Sequence, residues 1–269
     1  VLVVHGAAVT DEVLANPFLR MVSCARGGPV NVDIEAATQR GILVCNTPGK
    51  NAVAVAELTL TFTMMLIRGV FTAHRDLLQN GPGGSAFDGA QYFGRESRST
   101  TIGLIGLGAV GRQVATKANA LGFHVLAHDP FVPASEIPSV RMVSLEELLR
   151  HSDIVSLHAR GSAGGPPLVG AREFDLMKPG SWFVNTAREQ LIDEAALLDV
   201  LERGHVRAAA LDVLTSSPEG ASLLNHPSVL VTPHIGGASW ETLTRGAQMA
   251  AESIDVALRG GTPPYAVNP

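Results

Sequence analysis

The chain has 269 residues, of which 46% are hydrophobic and 17% charged, a composition that excludes a disordered or coiled-coil chain and allows one or two domains with sizeable cores. Its 20 Lys and Arg against 25 Asp and Glu give a net charge of −5, and there is no Lys/Arg-rich run, so nucleic acid is not an expected partner. The longest apolar stretch, Ala52–Ile67, carries Glu57 and falls short of the about 20 residues that span a bilayer, so no membrane partner is expected.

The first elements are short. Strand-like runs at Leu2–His5, Met21–Cys24 and Ile42–Cys45 flank a helix, Ile34–Arg40, that Gly41 closes. Three strands make a thin domain, and the chain starts at Val1, without Met, inside such a run, so preceding residues are expected to add to it. Cys24 and Cys45 adjoin strands and read as buried thiols of a reducing, cytoplasmic compartment, and no signal peptide is visible. A long helical stretch follows from Asn51 to about Gln79, with Val55, Leu58, Phe62 and Met65 on one apolar stripe. Glu57 on this helix reads as an interdomain hydrogen-bonding residue. The turn signal Gly81-Pro-Gly-Gly84 marks the expected domain boundary.

From Thr101 onward strands and helices alternate. The strands are expected at Thr101–Ile105, His124–His128, Ile154–Leu157, Ser181–Asn185, Ala208–Asp212 and Val229–Val231. Ser144-Leu-Glu-Glu147 is a capping box, and Asp193 caps a helix that ends at Gly204. This alternation implies a doubly wound parallel α/β sheet with its site at the strands' C-terminal ends. A last helix, about Trp240–Arg259, could fold back onto the N-terminal part.

The run from Thr101 to Gly111 is a strand leading into G-x-G-x-x-G and a helix, with glycines at 106, 108 and 111. The first glycine permits a tight turn, the second admits a pyrophosphate to the backbone, and the third lets helix and strand pack closely. The next strand ends at Asp129, 18 residues after Gly111, where a carboxylate accepts from a ribose 2′-hydroxyl and repels a 2′-phosphate. NAD is therefore the expected cofactor. Arg188, Asp212 and His234 each lie at or just past a later strand end. A guanidinium can hold a carboxylate bidentately, and an imidazolium can supply the proton that accompanies hydride transfer. No His/Cys/Asp/Glu cluster has metal-ligand spacing.

These segments together resemble the D-isomer-specific 2-hydroxyacid dehydrogenases, the family of phosphoglycerate dehydrogenase and glyoxylate/hydroxypyruvate reductase. The likeness is carried by Val32–Gly41, Asn46–Asn51 through Ala56-Glu57-Leu58, Ile105–Gly111, Asp153–His158, Met177–Gly180, Asn185–Arg188 and Thr232–Gly237. It implies a Rossmann NAD domain, residues 81–240, inserted into a smaller flavodoxin-like substrate domain, 1–80 plus 241–269, that lacks an N-terminal segment here. It implies an NAD-dependent oxidoreductase of a small 2-hydroxy or 2-oxo acid, dimeric through the NAD domain. An NAD-binding redox sensor or corepressor-like dimer with little turnover is the alternative.

The resemblance also implies roles. Arg188 matches the substrate-binding Arg, His234 the acid/base His, and Asp212 the Asp that holds the nicotinamide carboxamide. Ser217 stands where the family has its catalytic Glu, and Glu219 is the nearest acid that could substitute. Arg26, Gly27, Gly28 and Asn31 take the place of the substrate carboxylate loop; Lys50 and Asn51 either reach the substrate or cap the long helix. Cofactor contacts fall to Gly106, Gly108, Ala109, Val110, Gly111, Asp129, Thr186, Asp212, Gly236 and Gly237. His158 and Ala159 join that wall, although His158 also reads as a satisfied core histidine.

Overall fold

The short apolar runs at the start of the chain build a three-stranded parallel sheet in the computed structural model, which describes residues 1–81, 92–161 and 165–268. Its strands, β1 (Leu2–Val4), β2 (Met21–Cys24) and β3 (Leu43–Cys45), lie in that order. Helices α1 (Asp11–Leu14) and α2 (Ile34–Gln39) cover it, with the Asp33 carboxylate accepting the Ala36 N–H at 2.9 Å to cap α2. Leu14, Val22, Val32, Ala37, Ile42 and Val44 make the core of this unit. The chain's last segment returns here, with Ala266 pairing antiparallel to Cys45 and the Asn268 side-chain oxygen accepting from the Val44 N–H at 2.7 Å.

The molecule divides into two units, Val1–Ala54 with Gly237–Pro269, and Val55–Gly236. This corrects the boundaries expected at 80 and 240. Helix α3 (Ala52–Ile67) buries Ala56, Leu60, Phe62, Leu66 and Ile67 against strand residues Ile102, Leu104, Trp182 and Val184, so its apolar face belongs to the second unit's core from Val55 onward. Glu57 points outward and pairs with Lys117 of the same unit at 3.0 Å. The single long helix expected over 51–79 is two. Gly69 adopts a left-handed φ of 64° and ends α3, and α4 (Val70–Asn80) leaves at 62°. The turn signal at 82–84 lies outside the described residues.

The second unit is a seven-stranded, wholly parallel sheet. Its strands are β4 (Thr101–Ile105), β5 (His124–His128), β6 (Val140–Met142), β7 (Ile154–Leu157), β8 (Ser181–Asn185), β9 (Val206–Leu211) and β10 (Val229–Val231), in the order β10-β9-β8-β7-β4-β5-β6. Strand β6 had no expectation behind it, because Val-Arg-Met offers too few apolar residues to mark an edge strand. Helices α5 (Ala109–Ala120), α6 (Leu145–His151), α7 (Ala171–Leu176), α8 (Glu194–Glu202) and α9 (Pro218–Asn225) complete the layers, and α10 (Trp240–Leu258) belongs to the first unit. The period-two alternation of the strands separates two cores. Trp182, Val184, Ala208 and Ala210 face α3 and α5, whereas Phe183, Ala209 and Leu211 face the side of α6 to α9.

Buried Asp153, just ahead of β7, ties three strands at the edge opposite their C-terminal ends. Its carboxylate accepts the Thr101 N–H at 2.8 Å, Arg95 at 2.9 Å and Lys178 at 2.5 Å, while its carbonyl accepts the Trp182 N–H. Asp153→Ala strands the Thr101 N–H and frees two cations that are already half exposed. We expect a loss of about 2–4 kcal/mol in urea unfolding, and a smaller loss for Asp153→Asn, which retains the acceptor. Equal midpoints for wild type and Asp153→Ala would show that this junction contributes nothing.

Candidate active site

The chain runs from β4 outward to β5 and β6, then crosses back to β7, so the winding reverses between β4 and β7. Such a switch point opens a crevice at the strands' C-terminal ends. Gly106 follows β4 with φ +100°, and a Cβ there would stand 2.6 Å from the Ala159 nitrogen and 2.7 Å from the His158 carbonyl carbon. Only glycine lets the two walls approach so closely. Gly108 precedes α5, and a Cβ on it would meet nothing within 4 Å. The first-turn N–H groups of Ala109, Val110 and Gly111 therefore lie behind open space, which suits an anion. Asp129 crosses the loop, accepting the Leu107 N–H at 2.8 Å and the Phe131 N–H at 2.9 Å, and each oxygen keeps a lone pair for a hydroxyl donor. The open cradle and the neighbouring carboxylate fit the pyrophosphate and ribose of a dinucleotide.

His158 borders this crevice. Its Nε2 lies 2.9 Å from the Ser156 hydroxyl, but its buried Nδ1 has no partner among the described residues, so the expectation of a satisfied core histidine holds for one nitrogen only. Burial pushes its pKa down to about 3, leaving the ring neutral. Thr186 is buried, and its hydroxyl meets that of Thr59 at 2.8 Å, pinning α3 to the turn after β8.

A cavity of about 450 Å³ lies across the ends of β8 to β10, and Asp212, Ser217 and His234 line it. His234 has φ 57°, the one positive value outside glycine among the described residues. A left-handed residue of this kind costs of order 1–2 kcal/mol and needs a surrounding structure that imposes it. Asp212, 1% exposed, does so. One of its oxygens accepts the Thr232 hydroxyl at 2.5 Å and the Ile235 N–H at 2.8 Å, and the other accepts the Gly236 N–H at 2.7 Å. The His234 N–H itself donates to the Thr232 carbonyl at 2.9 Å.

Three expected residues stand differently. The Ser217 hydroxyl caps α9, accepting the Gly220 N–H at 2.9 Å, and donates to Glu194 at 2.9 Å, so its only proton is already committed. Glu219 is not among the residues lining the cavity. Arg188 is presented by a turn in which the Asn185 side chain accepts the Ala187 N–H and donates to the Arg188 carbonyl, both at 2.9 Å. Its guanidinium is exposed and donates one N–H to the Ala187 carbonyl at 2.6 Å, outside the cavity lining.

Two acids went unremarked in the sequence. Glu194 is buried and accepts from the Thr215 N–H and hydroxyl and from Ser217, which fixes one wall of the cavity. The signal was faint, because an acid after the cap Asp193 reads as an ordinary first-turn residue. Glu189 lines the cavity.

In the first unit, the Asn31 side-chain NH2 donates to the Ala7 carbonyl at 2.6 Å, and its oxygen accepts from the Cys24 thiol at 3.2 Å. Lys50 is buried, donates to the Ala25 carbonyl at 2.7 Å, and has its pKa lowered by desolvation. Gly27 and Gly28 face open space, the Arg26 N–H turns back to the Cys24 carbonyl, and Asn51 flanks Gly237. No group of His, Cys, Asp and Glu among the described residues could hold a metal. Among the described residues no single helix is long and apolar enough to cross a membrane.

Residues 60–236 match the family model described as D-isomer specific 2-hydroxyacid dehydrogenase, NAD binding domain. A D-3-phosphoglycerate dehydrogenase of Mycobacterium bovis is 38% identical over 99% of this chain and 51% of its own length. The chain thus spans about half the length of the curated relatives it matches. Among solved structures, a D-2-hydroxyisocaproate dehydrogenase superposes with a TM-score of 0.90 at 25% identity, over 99% of this chain and 85% of that one. A glyoxylate reductase of Paecilomyes thermophila does so with a TM-score of 0.80 at 30% identity, over 92% and 75%.

His158 carries an acid sensitivity. The unfolded chain takes up its proton near 6.5, whereas the folded ring resists until about 3, so the stability it contributes is complete above 6.5 and drains away as pH falls between the two. Between pH 7 and 4.5 the wild type should lose up to about 3 kcal/mol more than His158→Asn in urea unfolding. Parallel losses in the two proteins would remove His158 from the acid response.

Proposed function

The chain belongs to the D-isomer specific 2-hydroxyacid dehydrogenases, and from that premise we propose that it interconverts a small 2-oxo acid and its D-2-hydroxy acid with NAD. The observation that carries this reading is His234, held in a left-handed turn by Asp212 at the edge of a cavity on the same sheet as the glycine crevice. Bound NAD(H) supplies or accepts the hydride at the substrate's second carbon. The residues placed to hold it are Gly106, Gly108 and the start of α5 for the pyrophosphate, Asp129 for the ribose, and His158, Ala159 and Thr186 for the inner wall.

The remaining work falls to side chains. Arg188 keeps four of its five N–H donors after its bond to Ala187, enough to grip a carboxylate with two and polarise the adjacent carbonyl. In reduction, His234 gives its proton to the carbonyl oxygen as charge builds there, and in oxidation it removes the proton from the hydroxyl. Asp212 keeps His234 in place, and its engaged oxygens make it a support for the turn before a ligand for the carboxamide. The first unit is assigned the substrate carboxylate loop at 26–28. Dimerisation is assigned to α3, where a groove of about 670 Å³ is lined by Leu60, Met64, Met65, Val70 and Leu121 together with Glu57, Thr61 and Arg68. A reducing cytoplasmic setting suits the free, buried Cys24 and Cys45.

The test is NADH oxidation with glyoxylate, hydroxypyruvate and phosphohydroxypyruvate. Arg188→Lys keeps the charge and loses the fork, so kcat/KM should fall more than about tenfold. His234→Ala should cost about 10²–10⁴ in rate. NADH affinity, followed by its fluorescence, should stay within about twofold for both variants, because neither side chain is assigned to the dinucleotide. Retained turnover in either would take that residue out of the mechanism.

Asp129 should set cofactor choice, since a 2′-phosphate would sit against a carboxylate already accepting from two N–H groups. Wild type should bind NADH at least about tenfold more tightly than NADPH, a gap of about 1.4 kcal/mol, and Asp129→Ala should narrow it. Equal wild-type affinities would overturn the assignment.

A further inference from the structure

The cavity that His234 borders contains three titratable residues, Glu189, Asp212 and His234. Two of its polar groups are committed elsewhere. Asp212 gives both oxygens to three donors of the 232–236 turn. Ser217 gives its proton to Glu194 and a lone pair to Gly220, and Glu194 in turn accepts from Thr215 and Ser217 behind the wall. Arg188, next in the chain, donates to the Ala187 carbonyl. Glu189 differs from all of these. It opens a 3-10 turn (Glu189–Leu191), is half-buried, lines the cavity, and its carboxylate has no hydrogen bond or ion pair among the described residues.

We propose that Glu189 is the charge partner of His234, an unengaged carboxylate that favours the imidazolium from across the cavity the two residues share. A proton donor at neutral pH works best when a nearby negative charge holds the proton on it. At position 217 a hydroxyl that is already donating cannot supply that charge, and the buried Asp212, although charged, has both oxygens held by donors of the 232–236 turn and is not free to turn to the ring. Glu189 is the one acid of the lining with no hydrogen bond or ion pair among the described residues. It acts through His234 and is a positioning residue: in reduction the proton still travels from His234 to the carbonyl oxygen, the hydride arrives at carbon, and the imidazole recovers its proton from water. Glu189 changes only how much of His234 is charged at a given pH. This rests on the reading of His234 as proton donor, so its test includes a measurement that needs no turnover.

The experiment follows the ring signals of His234 by NMR across pH in the full chain without ligands, with His234→Gln to identify them. Wild type, Glu189→Gln, Glu189→Asp and Glu219→Gln are compared. In Glu189→Gln the crossover should move to lower pH by up to about half a unit, the scale of one exposed unit charge acting through water. Glu189→Asp should fall between, and Glu219→Gln should follow the wild type. In parallel, the decline of kcat/KM for the oxo acid with rising pH should shift in the same direction in Glu189→Gln, while NADH affinity is unchanged. A crossover unmoved in Glu189→Gln, or moved only in Glu219→Gln, overturns the proposal. A moved crossover in a chain that reduces none of the oxo acids sustains the pairing and sinks the activity instead.

Discussion

One buried carboxylate organises the candidate site. Asp212 ends the strand β9 run with its backbone N–H on the Asn185 carbonyl and its side chain turned toward the segment after β10. Three donors converge on it, two of them consecutive backbone N–H groups, and that convergence forces the chain between Thr232 and Gly236 into a tight return. The left-handed conformation of His234 is the product. Without Asp212 the buried Gly236 N–H would be left unsatisfied, at a cost of about 1–3 kcal/mol, the Ile235 N–H would lose its partner, and the turn would lose the contacts that shape it. The imidazole's location is thus set by a hydrogen-bond requirement two strands' width from the glycine loop, with the sheet holding the two in register.

The sheet performs that task because its order is fixed by burial on both faces. Alternate residues of β8 and β9 feed opposite cores, so a shift of register by one residue would turn Trp182 and Val184 into the core of Phe183 and Leu211. Asp153 ties β4, β7 and β8 at one edge, and the Gly106 contact with the segment after β7 closes the other. Between these fixed edges the C-terminal loops are free to carry unusual conformations.

The strands of the second unit were legible in the sequence to within a residue or two, because wholly buried parallel strands are nearly continuous in apolar residues. So were the dinucleotide cradle and the strand-end positions of Arg188, Asp212 and His234, although Arg188 stands outside the cavity lining. What escaped had weaker local signatures. β6 is a three-residue edge. The break at Gly69 is a single glycine in an otherwise helical pattern, and the membership of α3 depends on which neighbour its apolar face meets. Glu189 and Glu194 are separated in the chain from the residues they serve, so only the folded arrangement shows that one faces the cavity and the other anchors its wall. Ser217 was noticed as a departure, but its engagement by Glu194 depends on a contact 23 residues away.

The Glu194–Ser217 contact makes the two positions interdependent. A second carboxylate at 217 would meet the first with both charges half shut away from water, and it would lose the hydroxyl that caps α9. The identity tolerated at 217 is therefore conditional on the identity at 194. An acid at 217 sits more easily where 194 carries no charge, and changing 217 alone would set two carboxylates against each other.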